Sequence, residues 1–410
     1  MQFFKLSSIL TRFFAAALCI VTASVTAPAI ADDFAATQKR GKDQTVYFNA
    51  WGGDAKINSY IKWASDELKL RYGITLVHVK LTDTASAVSR ILAEKVAGRN
   101  TGGSIDLLWV NGENFAAMKR AGLLQDKAWV SALPSWRYTD SAALPAILSD
   151  FAEPTDGKES PWGRAQLVFS YDSARLGSPP TSASALAAFI SANPGRFTFP
   201  QPPDFIGVSF LKQILIEVTN ANPALYQAAD KADFDTVTAP LWKWLDRAKP
   251  DLWRGGASYP TNYAVLRQLL GDGEVDIAIA FNPADASAAI ARGELADTVR
   301  TYIHENGTLA NVHFLAIPYN ASAPDAAMLV ADFMLSPEAQ LRKADIRIWG
   351  DPTVLSMAKL PTEVSAAFSR LPRGIATLSD AELERTLAEP HPSWGPRLEA
   401  AWIKRYASGK

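Results

Sequence analysis

The sequence predicts an α/β protein of two lobes, each with a mostly parallel sheet flanked by helices. Strand-like and helix-like patterns alternate from Thr45 onwards, which is typical of parallel sheets covered by helices. A passage rich in Pro and Gly at 154–163 interrupts this alternation. Four predicted strands end in loops rich in Gly, Asn, Pro and aromatic residues, two before that passage and two after it.

In the first half, the stretch VYFNAWGGDAKINSY (46–60) predicts a buried strand, a Trp-Gly-Gly turn and a helix. Ile74–Lys80 predicts a second strand, and TASAVSRILAEKVAG after it has the apolar spacing of a helix. Ile105–Val110 predicts a third strand, which is followed by a polar turn at 111–114 and another helix.

The second half repeats this pattern. RFTFPQPPDFIGVSFLKQILIEV predicts a short strand, a Pro-rich loop and an apolar helix. GDGEVDIAIAFNPADASAAIARGEL predicts a strand, a polar turn and a helix, and NVHFLAIP predicts one more strand with helices after it. The remainder to Lys410 is interpreted as a helical tail.

The strand-end loops are the predicted ligand-binding regions, because ligands of open α/β sheets bind beyond the carboxyl ends of the strands. We expect these loops to face each other across a cleft between the lobes. They comprise Ala50–Asp54, Asn111–Phe115, Pro200–Gly207 and Phe281–Asp285.

Composition and charge exclude several classes of function. The 410 residues are 48% hydrophobic and 20% charged, as in a globular protein with a sizeable core. Basic and acidic residues nearly balance, at 41 and 42, and no Lys/Arg cluster occurs, which argues against nucleic acid and anionic membranes as partners. The single cysteine, Cys19, lies in an N-terminal apolar run, so we expect no disulfide, thiolate metal site or cysteine nucleophile in the mature chain.

The N-terminus is interpreted as a cleaved secretory signal peptide that covers residues 1–31. Lys5 and Arg12 precede an apolar run, Phe13–Val25, that is shorter than the ~20 residues of a transmembrane helix. Ala29-Ile30-Ala31 has the small-x-small pattern of a cleavage site. We therefore expect an exported, soluble protein without a stable membrane anchor.

Six segments resemble, in order, the periplasmic substrate-binding proteins of ABC importers (extracellular solute-binding protein family 1), and most closely the YnjB-type branch. They are FNAWGGD, SIDLLWVNGENF, PWGRAQLVFSYD, GRFTFPQPPDFIGVSFLKQ, GTLANVHFLAIPYNA and FMLSPEAQ. The resemblance extends from about Phe48 to Gln340. Relatives in this wide group carry thiamine, polyamines, ferric iron or sugars, so the family does not identify the ligand.

The resemblance implies a type II-like periplasmic binding protein fold, in which crossover strands join two lobes that close on a solute. We expect the lobes to comprise 42–165 with about 305–345, and 166–304 with about 346–410. The expected links are Gln166–Tyr171 and a return near Asn311–Pro318. The resemblance also implies a monomeric periplasmic receptor whose lobes close on the solute. Its implied partners are a small-molecule solute and an ABC importer permease with its cytoplasmic ATPase.

Trp51, Gly52 and Gly53 are the first candidate ligand-binding residues. A flat ring beside unobstructed backbone N–H groups at a helix N-terminus suits a ring-bearing or anionic solute. The alternative is a tight strand–helix turn that uses the positive φ of glycine, with Trp51 packed inside.

Asn111, Gly112, Glu113 and Asn114 form the second candidate group, since their polar side chains could hydrogen-bond a solute. The alternative is that Asn111 caps the following helix and Glu113 favours its first turn.

The remaining candidates lie in the second half: Asp204, Trp253, Tyr259 and Asn282. Trp253 and Tyr259 flank a Gly-Gly pair and could enclose a cationic solute by cation–π attraction. The alternative is a surface loop anchored by one buried Trp. Asn282 is expected to bind a polar end of the solute.

Enzyme signatures are mostly absent from the sequence, and we predict no enzyme, cofactor or metal site. The four histidines do not form H-E-x-x-H, and no G-x-S-x-G motif occurs. Two alternatives remain open: a secreted hydrolase that uses paired carboxylates such as Glu113 and Asp204, and a solute-sensing binding module.

Overall fold

A computed structural model describes residues 27–407, with side chains from Phe34 onwards. The apolar run of the expected signal peptide lies outside the described residues. In chain order, the structure begins with α1 (Ala27–Gly41), β1 (Thr45–Trp51), α2 (Ala55–Tyr72), β2 (Thr75–Leu81), α3 (Thr84–Val96), β3 (Leu107–Val110), α4 (Gly112–Arg120), β4 (Ser149–Asp150), β5 (Glu153–Pro154) and β6 (Glu159–Gln166). Helix α1 therefore spans the predicted cleavage point, and Arg40 near its end forms an ion pair with Asp325 at 2.8 Å.

The remaining elements complete both lobes. They are β7 (Val168–Asp172), α5 (Ala183–Ala192), α6 (Phe205–Val218), α7 (Phe234–Ala248), α8 (Tyr263–Gly271), β8 (Ile277–Ala280), α9 (Asp285–Ala291), β9 (Val299–Tyr302), β10 (Thr308–Ala316), α10 (Pro324–Leu335), α11 (Pro337–Ala344), α12 (Thr362–Ser369), α13 (Asp380–Leu383), β11 (Thr386–Leu387) and α14 (Trp394–Trp402). No helix within residues 27–407 is long and apolar enough to cross a membrane.

The first-lobe sheet has the order β11-β10-β3-β1-β2, with β6 also paired to β10. Strand β1 runs parallel to β2 and β3, as the strand–helix alternation predicts. Strand β10 is antiparallel to β3 and β6, because it returns from the second lobe.

The second-lobe sheet differs from the mostly parallel sheet expected. Its order is β8-β7-β9, and β7 is antiparallel to both neighbours. The physical reason is the crossover: β7 enters the lobe at Val168 and runs away from the boundary, whereas β8 and β9 run towards it. The first-lobe sheet is therefore mixed, whereas the three named strands of the second-lobe sheet are antiparallel.

Each lobe has its own hydrophobic core. The first core is centred on Phe48, Tyr60, Phe115, Trp162 and Phe314, all buried. The second core contains Phe169, Phe197, Phe210, Trp394 and Trp402, so the C-terminal tail packs on the second lobe.

The boundary between the lobes differs from the expected division after about residue 346. Trp349, Val354 and Leu360 pack in the first core, whereas Ala376 packs in the second. The chain therefore stays on the first lobe to about α12 and crosses afterwards, because this segment covers apolar surface left by α2 and α10.

Within residues 27–407, the chain crosses between the lobes in three places: at Gln166–Leu167, at Leu309–Val312 and at 370–376. The first crossing lies in the expected link. The return, from Leu309 in the second core to Val312 in the first, overlaps the start of the expected link near Asn311–Pro318. The first crossing and the return are hydrogen-bonded to each other, since the Leu167 N–H donates to the Leu309 carbonyl at 2.8 Å.

Candidate ligand site between the lobes

Residues of the two lobes approach each other at several places in the described structure, and two of these places lie at strand-end loops or beside the crossings. We call the first the Trp51 contact, which comprises Trp51, Asp54 and Tyr263. We call the second the acidic cluster, which comprises Glu113, Asp150, Glu159 and Glu389. The two places differ in burial and in charge balance, and each is built from residues of both lobes.

The Trp51 contact joins the β1–α2 loop to the start of α8. The rings of Trp51 and Tyr263 lie 5.7 Å apart at an angle of 35°, and the Tyr263 hydroxyl donates to Asp54 Oδ2 at 3.2 Å. Asp54 also caps α2, because its Oδ1 accepts from the Lys56 N–H at 2.7 Å. Burial raises the pKa of Tyr263 well above its ordinary value, so the phenol is a donor at neutral pH.

Gly52 and Gly53 are needed for close approach, not for a left-handed backbone, since neither has a positive φ. A Cβ at Gly53 would lie 2.3 Å from the Trp51 ring, and one at Gly52 would lie 2.6 Å from Lys80. The Gly52 N–H donates to the Leu81 carbonyl at 3.0 Å and so continues the sheet.

The first-lobe half of the acidic cluster is buried. Asp150, in the β4–β5 hairpin, accepts from the Gly112 N–H at 2.6 Å. Its Oδ1, and both carboxylate oxygens of Glu159, have no hydrogen-bond partner in the described part of the chain, and each residue is 1% exposed. Burial raises the pKa of Asp150 and of Glu159 well above ordinary values. Nearby carboxylates raise both further: Glu113 and Glu389 act on Asp150, and Asp150 acts on Glu159.

The position of Gly112, beside this cluster, requires glycine, because its backbone φ is +47° and its Cα faces the Phe151 ring. A Cβ there would lie 2.2 Å from that ring. Only glycine therefore lets the hairpin pack on the first turn of α4.

Glu113 lies half-buried at the lobe boundary. Its Oε1 would be 3.3 Å from a Cβ placed on Gly395, in the first turn of α14 on the other lobe. Burial raises the pKa of Glu113, while the Lys212 ammonium lowers it and the Glu389 carboxylate raises it further. Glu113 therefore interacts electrostatically with Lys212 and Glu389 of the second lobe.

Lys212 supplies positive charge to this place from helix α6. Its Nζ lies 2.6 Å from Glu389 Oε2, and both side chains are almost fully buried. The same Nζ lies 4.4 Å from the centre of the Phe151 ring and 5.9 Å from that of Phe205. Asn311 donates to the other Glu389 oxygen at 3.2 Å.

Asn111 and Asn114 lie half-buried beside Glu113. Asn111 occupies the N-cap position of α4, but its side chain makes no capping hydrogen bond. Its amide therefore stays available at the end of β3. Asn282 is also at a strand end, where its Oδ1 accepts from the Ala284 N–H at 2.9 Å.

Asp204 caps α6, since its Oδ1 accepts from the Ile206 and Gly207 N–H groups at 2.9 and 3.2 Å. Burial raises the pKa of Asp204 to about 6. No hydrogen bond in the described structure joins it to Glu113.

Trp253 and Tyr259 are not brought to the lobe boundary. The backbone N–H of Trp253 donates to the carbonyl of Phe197, and Phe197 pairs with Ile277 at the start of β8. The boundary between the lobes lies at the other end of β8. Tyr259 packs inside the second lobe, with its ring 5.1 Å from that of Trp402.

Sequence reasoning missed most of the acidic cluster. One signal was available: Lys212 interrupts the apolar helix FIGVSFLKQILIEV, and a lysine on such a helix needs a buried partner. Asp150, Glu159 and Glu389 carry no comparable local pattern.

Two further observations bear on where a ligand could bind. A cavity of about 510 Å³ lies on the first lobe, where Arg71, Phe333 and Glu363 contribute to its lining. Within residues 27–407, no group of three His, Cys, Asp or Glu side chains is placed to hold a metal ion.

The chain belongs to the bacterial extracellular solute-binding proteins, whose family model matches residues 63–370. It is 48% identical over 379 residues to Protein YnjB of Escherichia coli strain K12, which covers 92% of this chain and 95% of YnjB. Members of this family bind small solutes and work with ABC transporter permeases.

Solved structures show the same fold. The spermidine/putrescine ABC transporter substrate-binding protein PotD of Streptococcus pneumoniae has a TM-score of 0.60 at 15% identity, over 88% of this chain and 98% of PotD. The periplasmic binding protein AfuA of Actinobacillus pleuropneumoniae, with fructose-6-phosphate bound, has a TM-score of 0.61 at 14% identity, over 89% and 99%. The two-lobe periplasmic binding protein fold is thus confirmed. The role of a substrate-binding receptor is supported by membership of the solute-binding family.

Proposed function

We propose that this protein is a periplasmic receptor that binds a small polar solute between its lobes and delivers it to the permease of an ABC importer. The observation that supports this most directly is the contact between strand-end loops of opposite lobes, above all Asp54 with Tyr263 at 3.2 Å. Such loops are where ligands of open α/β sheets bind.

Closure of the lobes is the proposed response to the solute. The three crossings restrict the lobes to a hinge motion, which is a known way of enclosing ligands. A solute that touches both lobes makes all of its contacts only in the closed state, so its binding shifts the population towards closure.

The proposed walls of the site come from both lobes. Trp51 and its partner Tyr263 form one end, and the β3–α4 loop with Asn111 and Glu113 forms the other. Asn282 is included because it follows the end of β8 (Ile277–Ala280), a strand-end position in the second lobe. Trp253, Tyr259 and Asp204 are not included, since their contacts lie within the second lobe.

The proposal includes export and no catalytic activity. The signal peptide would be removed after Ala31, so the mature protein would begin Asp32-Asp33-Phe34. N-terminal sequencing of the protein from periplasm tests this step, and an intact Met1 would contradict it. A hydrolase that pairs Glu113 with Asp204 is not proposed, because Asp204 is engaged as a helix cap.

The receptor function is tested with solute released from protein purified from native periplasm. Mass spectrometry identifies the solute, and small-angle scattering then compares the protein with and without it. We expect a smaller radius of gyration and a changed tryptophan fluorescence on binding. A tightly bound solute without compaction would contradict closure between the lobes.

A further inference from the structure

We propose that Asp54 and Tyr263 form a latch that holds a fraction of the protein closed without its solute, and that this fraction sets the affinity of the receptor. The inference rests on the proposed receptor function and adds how closure of the same site is controlled. Three observations support it: a hydrogen bond between the lobes, the fixed position of both partners, and a second close approach beside them.

The latch is a hydrogen bond between groups of the protein itself. The Tyr263 hydroxyl, at the start of α8, donates at 3.2 Å to Asp54 Oδ2, which lies in the β1–α2 loop of the other lobe. Burial raises the pKa of Tyr263, so the phenol keeps its proton at neutral pH. Since donor and acceptor both belong to the protein, the bond favours the closed state whether or not a solute is bound.

Each partner is held in place by contacts within its own lobe. Asp54 is the N-cap of α2, and its Oδ1 accepts from the Lys56 N–H at 2.7 Å, which leaves Oδ2 for Tyr263. On the second lobe, the Arg267 guanidinium lies 5.5 Å from the centre of the Tyr263 ring and forms an ion pair with Asp285 at 2.6 Å. Because these contacts do not cross the boundary, the latch forms with little further ordering of side chains.

A second close approach of the lobes lies next to Asp285. A Cβ added at Gly350 of the first lobe would lie 3.1 Å from the Cβ of Ala284. Ala284 is only 5% exposed, although it is not part of either lobe core in the described structure. Its burial therefore comes in part from the other lobe, and the two lobes meet here by direct contact, as a latch requires.

The latch has a consequence for affinity. A solute that contacts both lobes binds fully only to the closed protein, so its apparent dissociation constant is the intrinsic constant divided by the closed fraction. The latch bond, at 3.2 Å, is longer than the usual O–H···O distance of about 2.7–2.8 Å. We therefore expect its loss to shift the equilibrium between open and closed protein by about threefold to tenfold, and not more.

The test is Tyr263→Phe, which removes the hydroxyl and keeps the ring. Spin labels on cysteines that replace Lys62 and Ala188, which are exposed on α2 and α5, report the distance between the lobes by double electron–electron resonance. In solute-free protein, we expect the ratio of closed to open molecules to be about threefold to tenfold lower in Tyr263→Phe than in the wild type. Tyr406→Phe is the matched control, because it removes a phenol–carboxylate bond of 2.7 Å, to Asp246, within the second lobe.

Equal distance distributions in the wild type and Tyr263→Phe would overturn the latch, and so would an equal change in Tyr406→Phe. If Tyr263→Phe fails to fold, Asp54→Asn decides in its place. Asparagine keeps an oxygen that caps α2 but removes the carboxylate that accepts from Tyr263. A closed fraction that is unchanged in Asp54→Asn would then overturn the latch.

Affinity is then measured by calorimetry with the compound that is released from the periplasmic protein. The dissociation constant of Tyr263→Phe should rise by the same factor by which its closed fraction falls. Weaker binding with an unchanged closed fraction would mean that the hydroxyl binds the compound directly, which overturns the latch and leaves the receptor function standing. Because the distances are measured without solute, failure of the wild type to bind any compound would contradict the receptor function alone.

Discussion

The Trp51 contact and the acidic cluster both join the lobes, but only the first is complete within the protein. At the Trp51 contact, the Tyr263 hydroxyl has an acceptor in Asp54, and the two rings pack on each other. In the acidic cluster, several carboxylate oxygens have no donor in the described structure, and Lys212 alone contributes an ammonium contact. A contact that is satisfied internally can guide closure, whereas the stability of the buried carboxyl groups depends on pH, because burial raises the pKa of Asp150 and of Glu159.

The largest effect is expected from Lys212→Met, which leaves the buried Glu389 without its ion-pair partner. Removing one member of a buried pair costs about 3–5 kcal/mol, whereas replacing both members is often neutral. Urea unfolding should therefore show a large loss for Lys212→Met and a much smaller one for the double variant Lys212→Met/Glu389→Met. Equal losses would mean that the pair is not the origin of the effect.

The second prediction concerns the pH dependence of stability, to which the acidic cluster should contribute through its buried carboxyl groups. The pKa values of Asp150 and Glu159 are raised in the folded state, so folding retains their protons. Their stabilising contribution is present at pH values below the ordinary carboxyl pKa and is lost as pH rises towards the raised values. The free energy of unfolding of the wild type should therefore fall between pH 5 and pH 8. In Glu159→Gln, which cannot ionise at this position, we expect this fall to be smaller by about 1–3 kcal/mol, measured by unfolding at both pH values. A parallel pH profile for wild type and variant would contradict the prediction.

At the Trp51 contact, Trp51→Ala should weaken solute binding by ~1–3 kcal/mol, because a ring that stacks at the boundary is lost. Calorimetry with the identified solute measures this. Trp253→Ala is the control, since Trp253 packs on Arg254 and Glu274 away from the boundary. A sharp fall in melting temperature with normal binding would mean that Trp51 serves the core alone.

The smallest effect concerns the helix that carries Lys212. Asp204→Ala removes the N-cap of α6 and should cost about 1 kcal/mol of unfolding free energy, whereas Asp204→Asn keeps a capping oxygen and should cost much less. Chemical denaturation of both variants at pH 7 measures the difference. Solute affinity should stay the same in both, and a specific loss of binding would place Asp204 in the site after all.

The Trp51 contact could be predicted in part, because its residues follow a strand with a clear apolar pattern. The buried strand Val46–Ala50, the turn and the helix after it are all local features. The acidic cluster could not be predicted, since Asp150, Lys212 and Glu389 are far apart in the chain and only the fold brings them together. The sequence predicts Trp253 at the cleft, but the structure places it at the opposite end of β8. Aromatic composition does not indicate which end of a strand a loop adjoins.

The two ends of the described chain rest on different lobes, and this makes the protein suitable as an optical sensor. Helix α1 is held on the first lobe through Arg40 and Asp325, while Trp402 near the other end is buried in the second core. With Cys19 in the segment expected to be removed, single cysteines at the exposed Leu70 and Lys243 would take two dyes selectively. Energy transfer between the dyes would then report lobe motion in real time, including in mixtures from which the natural solute is still to be isolated.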